Sequence, residues 1–359
     1  MAFILVLMRN RIMHIGFMIS NWEGIDPSKN STVLIIRECL KRGHKVSILY
    51  PENLTVRNNI AYGLLKVIEP MEKIPDNIIQ FHKKVAFKKV LTPLHALDSF
   101  MIRKDPPLDP IIYNFLDSIK NECIIINDID GIRKANNKLY TTTFNDPGNS
   151  FLPITYVSKN KDFIRQMIEE MPGDKVILKP LVGSGGHGVI VLEKNAQSNI
   201  NSILDFYIHG SGDENYIIIQ EYIEGAENGD VRVLMLNGKF LGAYNRKPPE
   251  GDIRANIRIG GTAHKYKMTE SQMAVCRKIG PRLAADGLFF VGVDMIGDKI
   301  LEVNVLNPGG ISNINKLDKL KLHLKVVDFI EEQVDEKHEK RAELEYLLKR
   351  LSDLKQIDL

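Results

Sequence analysis

The sequence predicts a mixed α/β protein of more than one domain, with an open parallel sheet near the N-terminus and an α+β region of antiparallel strands after it. Three observations lead to this prediction. The chain has 359 residues, more than one hydrophobic core usually organises. Its first part alternates strand and helix patterns, whereas after Pro153 short strands follow one another across turns. Hydrophobic residues make up 44% of the chain and charged residues 26%, which is ordinary for a globular protein.

Charge and cysteine content exclude several classes of protein. The chain has 48 Lys and Arg residues against 45 Asp and Glu residues, and this excess is too small to indicate a nucleic-acid or anionic-membrane partner. No apolar run approaches the roughly 20 residues that a membrane span needs. Cys39, Cys123 and Cys276 lie far apart and form no CxxC pair, which favours a reducing compartment. We therefore expect a cytoplasmic protein that binds neither nucleic acid nor membrane.

The N-terminal part begins with a strand, a helix and a strand, which is the start of a parallel βαβ unit. Asn30 or Ser31 caps the helix, and Gly43 ends it. The predicted elements are strand 12–19, helix 31–41, strand 44–49, a less regular stretch at about 51–96, strand 97–102, a rigid loop 103–107, helix 110–120 and strand 123–127.

After Pro153 the pattern predicts an α+β fold. Its predicted elements are helix 162–171, strands 175–180, 189–192, 216–223, 231–236 and 239–244, a glycine-bearing loop 248–261, helix 269–285 and a hairpin 289–306. The tail from about residue 318 is predicted to be a charged helix. Its leucines at a/d spacing extend over about two heptads, so we expect the tail to pack on the body or on another subunit.

A glycine-rich loop, Gly183–Gly188, connects two predicted strands. It is not a dinucleotide fingerprint, because the β-branched strand at 189–192 follows it where a helix should open. It is not a P-loop, because no Lys-Ser/Thr pair follows its last glycine. The loop is either a phosphate-binding flap with backbone N–H donors or a plain hairpin turn. Lys179 favours phosphate binding, because it lies at the end of the preceding strand.

The hairpin 289–306 concentrates acidic and amide groups on one face. A three-residue loop, 297–299, keeps the other face apolar by pairing Met295 with Leu301, Val293 with Val303 and Val291 with Val305. Asp294, Glu302 and Asn304 then share the polar face. Two carboxylates held opposite each other are costly unless a cation lies between them, and hard oxygen ligands suit Mg²⁺. The alternative is an exposed sheet face with solvated acids.

The motifs together resemble the prokaryotic-type glutathione synthetase family, within the ATP-grasp superfamily. The similar stretches extend from about Ile12 to Ile314. They include 101–107 (Met-Ile-Arg-Lys-Asp-Pro-Pro), 136–139, 176–180, the glycine loop, 220–223 (Gln-Glu-Tyr-Ile), 229–233, 254–261, 292–294 (Gly-Val-Asp) and 302–304 (Glu-Val-Asn). The ordered set is more specific than any single motif.

The resemblance implies an ATP-grasp fold in three parts. Residues 1–135 would form a pre-ATP-grasp substrate domain. Residues 136–317 would form the ATP-grasp domain, with a lid at about 150–222 and a C-terminal metal-binding subdomain at about 223–317. Residues 318–359 would be the charged tail.

The resemblance also implies roles for individual residues, with ATP as co-substrate and Mg²⁺ as metal. Lys138 and Lys179 would bind the phosphates, and Lys179 and Arg254 would be the catalytic residues. The other nucleotide-binding candidates are Gly183, Ser184, Gly185, Gly186, Gly188, Gln220, Glu221, Tyr222, Ile223, Asn228 and Asn256, with 220–223 as the adenine hinge. The metal ligands would be Asp294, Glu302 and Asn304. The substrate-binding candidates are Arg103, Arg254, Asn307, Gly309 and Gly310.

The implied activity is ATP-dependent ligation of a carboxylate and an amine through an acyl phosphate, with γ-glutamylcysteine and glycine as the leading pair. The family commonly continues Ser-Pro-Thr after Glu-Val-Asn, whereas this chain has Asn-Pro-Gly-Gly at 307–310. A different donor or acceptor is therefore an alternative, and a catalytically silent nucleotide-binding module is another. The expected partners are small-molecule carboxylate and amine substrates and, in a homo-oligomer, further copies of the chain.

Overall fold

The computed structural model describes residues 11–183, 185–195, 200–209, 215–250, 257 and 260–355, with side chains to Leu351. The chain forms two compact units. Unit 1 comprises Met1–Arg103, Asn114–Ile126 and Lys321–Leu359, and unit 2 comprises Lys104–Tyr113 and Asn127–Leu320. No helix in the described ranges combines the length and the hydropathy needed to cross a membrane.

Unit 1 is built on an open, mostly parallel sheet, as predicted. The chain here forms β1 His14–Met18, α1 Ser31–Lys41, β2 Lys45–Leu49, β3 Leu54–Arg57, β4 Ile60–Ile68, α2 Ile78–Lys84, β5 Phe87–Pro93, β6 Ser99–Ile102, α3 Pro110–Asp117 and β7 Ile124–Ile126. The strand order is β3-β4-β2-β1-β6-β7, with β5 paired to β4. Strands β2, β1, β6 and β7 are parallel neighbours, which confirms the βαβ prediction.

The stretch 51–96, predicted to be irregular, is instead an antiparallel extension of this sheet. Strands β3, β4 and β5 pair in sequence order, and β4 joins them to β2. Asn58 and Asn59 form the β3–β4 turn with φ of 50° and 63°, as a type I′ hairpin requires. Apolar residues lie on both faces of β4, with Leu65 buried and Leu64 exposed, so its sequence lacks the alternation that marks a strand.

The C-terminal tail is the long helix α9, Leu322–Lys355, which confirms the predicted helix. Its first half is buried through Val326, Ile330 and Val334, and α9 packs against α1. Glu331 accepts hydrogen bonds from Arg42 and His44, both at 2.7 Å. The leucines of the second half, Leu344, Leu347 and Leu351, are exposed. The tail therefore packs on its own unit over half its length.

Unit 2 contains two antiparallel sheets. The chain first forms α4 Ile129–Ala135, a 3₁₀ helix Lys138–Thr143, β8 Thr155–Ser158, α5 Lys161–Glu170, β9 Lys175–Pro180, β10 Ile190–Glu193, α6 Ile200–His209 and β11 Ile217–Glu221. The strand order is β10-β9-β11-β8. One face of this sheet packs against α5 and α6 through Ile164, Leu204 and the strand residues Leu178 and Ile219. The opposite face, with Lys179 and Gln220, is left for a site.

The second sheet of unit 2 carries the predicted hairpin. The chain continues with β12 Asp230–Leu236, β13 Lys239–Lys247, β14 Thr262–Lys265, α7 Glu270–Ala285, β15 Phe290–Ile296, β16 Lys299–Asn304 and α8 Ile311–Asp318. The strand order is β14-β13-β12-β15-β16. Val233, Val293 and Val303 form the core face together with Ile279 and Leu283 of α7. The polar residues of the same strands therefore point to the other face.

The register of β15 and β16 agrees with the prediction at the polar residues and differs at the turn. Asp294 pairs with Glu302, and Gly292 pairs with Asn304, as expected. Met295 pairs with Ile300 rather than Leu301, and the predicted Val291–Val305 pair lies beyond the end of β16. The loop is the two-residue turn Gly297-Asp298, and a bulge absorbs Leu301. Because a bulge adds one residue to one strand, the short turn and the apolar face are compatible.

Candidate active site

One pocket in unit 2 brings together residues from five separate parts of the sequence. The predicted residues that line it are Lys138, Lys179, Gly183, Gly185, Gly186, Gln220, Glu221, Tyr222, Ile223, Asp294, Glu302 and Asn304. The 3₁₀ helix, both sheets and the glycine loop all contribute to this lining. The pocket therefore lies where the polar faces of the two sheets of unit 2 meet.

Lys179 lies near the end of β9 and is 7% exposed. Its Nζ donates to Oε1 of Gln220 at 2.8 Å and lies 3.5 Å from the carbonyl oxygen of Leu301. Burial and the nearby charge of Lys138 together lower the pKa of Lys179 to about 8, although Glu302 and Asp294 act in the opposite direction. The hydrogen-bond partners of this buried ammonium are neutral oxygens.

Lys138 connects the start of the 3₁₀ helix to the glycine loop. Asn137 caps that helix, since its side-chain oxygen accepts from the N–H of Leu139 at 3.0 Å. The backbone N–H of Lys138 donates to the carbonyl oxygen of Leu181 at 3.1 Å, and Nζ donates to that of Gly183 at 2.9 Å. Nζ is also 4.0 Å from the carboxylate of Glu302. The two predicted lysines therefore point into the same pocket.

The glycine loop has a backbone that other residues rarely adopt. Gly185 and Gly186 have φ of 72° and 78°, in the left-handed region. His187 and Val189 complete the part of the loop that lines the pocket. Gly188 is described but lies outside the lining, and its carbonyl oxygen accepts from the hydroxyl of Tyr207 at 2.5 Å. Its role is therefore to anchor the loop, whereas Ser184 lies outside the described residues.

Three charged residues form one row across the second sheet. Arg232 of β12 pairs with Asp294 of β15, which pairs with Glu302 of β16. The guanidinium of Arg232 binds both carboxylate oxygens of Asp294, with Nη2 2.9 Å from Oδ2. Nη2 of Arg246 also lies 2.9 Å from Oδ2 of Asp294, and Arg246 binds both carboxylate oxygens of Asp230, at 2.5 and 2.6 Å. Arg232, Asp294, Arg246 and Asp230 thus form a buried ion-pair network beside Glu302.

Burial alone would raise the pKa of Asp294, but Arg232 and Arg246 outweigh it and hold this pKa at about 2. Asp294 is therefore ionised at neutral pH. The sequence predicted a metal ion from the repulsion between Asp294 and Glu302. This repulsion does not by itself require a metal ion, because the two guanidinium groups already compensate the charge of Asp294. The network leaves the carboxylate of Glu302 on the pocket wall, where it has no arginine partner among the described contacts.

The oxygen donors of this face still fit a magnesium ion that shares phosphate ligands. Asn304 lies beside Asp294, with Nδ2 3.1 Å from Oδ2, and Glu302 is 30% exposed toward the pocket. Mg²⁺ is usually held by one or two carboxylates together with substrate phosphates and water. In the ranges that the structure describes, no three His, Cys, Asp or Glu side chains cluster as a metal cage. These residues therefore suit a cation that arrives with a nucleotide.

Three charged residues of the site were not predicted from the sequence: Asp230, Arg232 and Arg246 line the pocket as well. A signal was present, because Arg232 stands between Val231 and Val233 in an otherwise apolar strand. Burial of an arginine in such a strand requires a carboxylate partner. The sequence does not show which carboxylate that is.

The predicted adenine hinge continues from the end of β11. The N–H of Glu221 donates to the carbonyl oxygen of Ile154 at 3.0 Å, and its carboxylate is 3.6 Å from Nζ of Lys299. Tyr222 and Ile223 follow the strand and line the pocket. Asn228, another predicted nucleotide-binding residue, is described but lies outside the lining, and Nδ2 donates to Oε1 of Glu227 at 3.2 Å.

The remaining predicted residues lie elsewhere or outside the described chain. Arg254 and Asn256 are not among the described residues. Arg103 is buried in unit 1, where Nε donates to the hydroxyl of Thr32 at 2.9 Å. The side chain of Asn307 donates to Asp105 at 2.7 Å, and the carbonyl oxygen of Gly309 lies 3.4 Å from Nη1 of Arg232. Gly310 has φ of 133° and precedes α8.

Two family models match the chain. The N-terminal domain of prokaryotic glutathione synthetase matches residues 13–133, and the ATP-grasp domain of prokaryotic glutathione synthetase matches residues 137–319. A glutathione synthetase of Synechocystis sp. is 32% identical over an alignment of 333 residues, which covers 89% of this chain and 100% of that protein. A glutathione synthetase of Agrobacterium fabrum is 30% identical over an alignment of 328 residues, which covers 90% of this chain and 98% of that protein.

Solved structures show the same fold at low sequence identity. A D-alanine-D-alanine ligase from Coxiella burnetii aligns with a TM-score of 0.59 at 11% identity, over 94% of this chain and 99% of that one. A D-cycloserine synthetase aligns with a TM-score of 0.61 at 14% identity, over 88% of this chain and 99% of that one.

Proposed function

The chain belongs to the prokaryotic glutathione synthetase family of ATP-grasp C–N ligases, and we propose that it joins γ-glutamylcysteine to glycine with cleavage of ATP to ADP and phosphate. The two substrates are carried over from the family. ATP use and ligation of small molecules follow from membership in it. The roles of individual residues are part of the proposal.

The observation that carries the proposal is the environment of the two lysines. Nζ of Lys179 donates to a neutral amide, and Nζ of Lys138 donates to a backbone carbonyl. The carboxylate of Glu302 lies 4.0 Å from Nζ of Lys138, which is the limit of an ion pair. The arginines Arg232 and Arg246, in contrast, are paired with Asp294 and Asp230. The lysines therefore keep their charge available for an anion such as a triphosphate.

The reaction needs positioning and charge neutralisation more than acid–base residues. The donor carboxylate attacks the γ-phosphorus of ATP, the bond to the β-phosphate oxygen breaks, and an acyl phosphate and ADP form. The amine then attacks the acyl carbon, loses a proton and releases phosphate. Lys138 and Lys179 would neutralise the phosphate oxygens, and N–H groups of the glycine loop would cover them. Backbone groups of the hinge 220–223, together with Glu221, would hold the adenine.

We propose that Glu302, Asn304 and Asp294 hold Mg²⁺ when the nucleotide is bound. The cation would screen phosphate charge beside the two lysines. Asp294 would contribute less, because Arg232 and Arg246 already occupy its oxygens. Glu302 would contribute most.

Further parts of the proposal rest on the family and the sequence. We propose a pre-ATP-grasp domain at 1–135, an ATP-grasp domain at 136–317 and a separate tail at 318–359. Arg254 and Asn256 would act from the glycine-bearing loop 248–261, and Arg103 and Asn307–Gly310 would contact substrates. We also propose a cytoplasmic homo-oligomer, a location that fits the buried free thiols of Cys39, Cys123 and Cys276.

The test is ADP release by the purified protein with γ-glutamylcysteine and glycine, each omitted in turn, against a panel of other carboxylates and small amino acids. We expect release to require both substrates. Release with another pair alone would identify a different peptide ligase. Absence of release with every pair, together with intact nucleotide binding, would indicate a silent nucleotide-binding module. Lys179→Met is the matched inactive variant.

A further inference from the structure

A chain of three hydrogen bonds leads from Lys179 out of the pocket to the backbone. Nζ of Lys179 donates to Oε1 of Gln220 at 2.8 Å. Nε2 of Gln220 donates to the hydroxyl of Thr155 at 2.8 Å. That hydroxyl donates to the carbonyl oxygen of Pro153 at 2.9 Å. The first three residues lie on neighbouring strands of the first sheet of unit 2.

Strand register places these side chains on one face. Thr155 of β8 pairs directly with Gln220 of β11, and Lys179 of β9 pairs with Ile218, two residues before Gln220. Directly paired residues and residues two apart on a strand share a face. The alternate residues Leu178 and Ile219 lie in the core on the other face. Thr155, Gln220 and Lys179 therefore lie in one row on the face opposite the core.

The direction of the chain is fixed at its far end. A carbonyl oxygen can only accept, so the single proton of the Thr155 hydroxyl points to Pro153. The hydroxyl oxygen then accepts from the NH₂ group of Gln220, and the amide oxygen must face Lys179. Gln220 is 4% exposed and uses both ends of its amide in this way. Without the hydroxyl, the NH₂ group of Gln220 loses its acceptor, and the amide is no longer held in the plane that points its oxygen at Lys179.

We propose that Thr155 is a positioning residue for ATP, because it fixes the amide of Gln220 so that the amide oxygen holds Lys179 in place for phosphate. Gln220 acts here through its side chain, which is directed to the lysine and not to the adenine. A neutral amide orients the ammonium without cancelling its charge. Thr155 itself does not line the pocket. The inference rests on the proposed function through the contact between Lys179 and phosphate.

The test compares Thr155→Val with Thr155→Ser in the full chain. Valine keeps the shape of threonine and removes the hydroxyl, whereas serine keeps the hydroxyl. The probe is a non-hydrolysable ATP analogue, with its Kd measured by titration calorimetry. We expect about a tenfold higher Kd for Thr155→Val, the size expected when a hydrogen bond to a charged group is weakened, and a Kd within about twofold of wild type for Thr155→Ser. KM for ATP should rise while KM for the amine and the melting temperature stay unchanged.

A double-variant cycle gives a second, independent measurement. Gln220→Met removes the amide that Thr155 orients. The Kd of this variant for the ATP analogue should therefore rise at least as much as that of Thr155→Val. Adding Thr155→Val to Gln220→Met should then change Kd by less than about twofold, because the hydroxyl no longer acts on anything. Independent, multiplying effects of the two substitutions would overturn the proposal.

Other outcomes distinguish the inference from the function on which it rests. Wild-type affinity in Thr155→Val, with binding lost in Lys179→Met, would overturn the positioning role and leave the proposed function intact. Thr155→Val could instead lower the melting temperature and raise KM for every substrate, with the same effects in Thr155→Ser. That result would show a purely structural role for Thr155 and would also overturn the positioning role. Failure of the wild-type protein to bind the analogue would overturn the proposed function.

Discussion

Arg232 binds both carboxylate oxygens of Asp294, with Nη2 2.9 Å from Oδ2, and both side chains are more than nine-tenths buried. The same guanidinium lies 3.4 Å from the carbonyl oxygen of Gly309. Gly292 leaves room for this arrangement, because a Cβ there would lie 3.1 Å from Cδ of Arg232. Arg232 therefore connects the charged row of the pocket to the turn 307–310, which follows β16.

Arg232→Met should lower the free energy of unfolding by about 3 kcal/mol, because it leaves Asp294 with a buried charge that Arg246 compensates only in part. Arg341→Met is the control, since Arg341 pairs with Glu345 on the exposed surface of α9 and should cost less than about 1 kcal/mol. Urea denaturation of both variants measures the difference. Equal losses would show that the buried pair contributes no more than the exposed one.

Nucleotide affinity should fall at alkaline pH because the pKa of Lys179 is lowered to about 8. Below that pH the ammonium is present, and above it the free protein has lost the proton that phosphate binding needs. Kd for a non-hydrolysable ATP analogue should therefore rise about tenfold per pH unit above 8, and binding at pH 8.5 should take up a proton. Calorimetry in two buffers of different ionisation enthalpy measures that uptake. Lys179→Arg should flatten the profile, and a wild-type Kd constant from pH 7.5 to 9.5 would contradict the assignment.

Glu302→Ala should reduce kcat at least about 100-fold, the loss expected when charge stabilisation at the phosphates is weakened by several kcal/mol. Its side chain is 30% exposed, so the melting temperature should stay close to that of the wild type. Asp298→Ala at the tip of the same hairpin is the matched control, because Asp298 bonds only to Ser271 among the contacts described. Turnover measured across Mg²⁺ concentrations tests the role. Near-normal turnover of Glu302→Ala at limiting Mg²⁺ would remove Glu302 from the ligand set.

Gly309→Val should raise KM for the amine and leave the affinity for ATP unchanged. A Cβ at Gly309 meets no atom within 4 Å, so the first carbon of a valine side chain enters open space beside the turn. Gly310→Ala is the contrasting variant, because its φ is 133° and its Cβ would lie 2.8 Å from Cε1 of Tyr244. Gly310→Ala should therefore lower the melting temperature. Weaker ATP binding with an unchanged amine KM in Gly309→Val would place this turn in the nucleotide site.

Truncation after Leu317 should destabilise the protein, because it removes the buried half of α9 and the partner of Arg42 and His44. Truncation after Lys340 removes residues 341–359, whose described side chains, up to Leu351, are all exposed, and it should leave the melting temperature unchanged. Light scattering on the second variant tests the homo-oligomer, since loss of mass would assign assembly to residues 341–359. An unchanged melting temperature after the first truncation would show that α9 is dispensable.

The parts of the site that the sequence predicted are those in which local pattern dictates geometry. Alternation along β15 and β16 placed Asp294 opposite Glu302, and the glycine loop could be located between its two strands. Alternation did not predict the bulge at Leu301, because a bulge and a longer loop satisfy the same apolar face. The loop length at 297–299 was therefore wrong by one residue.

Contacts between distant strands were beyond reach of the sequence pattern. Arg246 and Asp230 are 16 residues apart, and Asp294 is 62 residues from Arg232, so no spacing rule identifies these pairs. The hydrogen bonds of Gln220 were missed for the same reason, since the register of β8 against β11 determines them. The strands at 51–96 were missed because apolar side chains on both faces hide the period of two.

The bonds from Glu331 to Arg42 and His44 also constrain the order in which the chain can fold during synthesis. Unit 1 is discontinuous: its sheet comes from the first 126 residues, and the helix that packs on it comes after residue 320. A ribosome therefore releases every residue of unit 2 before the last part of unit 1 emerges. The full sequence of unit 2 is therefore available for folding before that of unit 1. The surface of α1 that packs against α9 stays uncovered until translation is nearly complete.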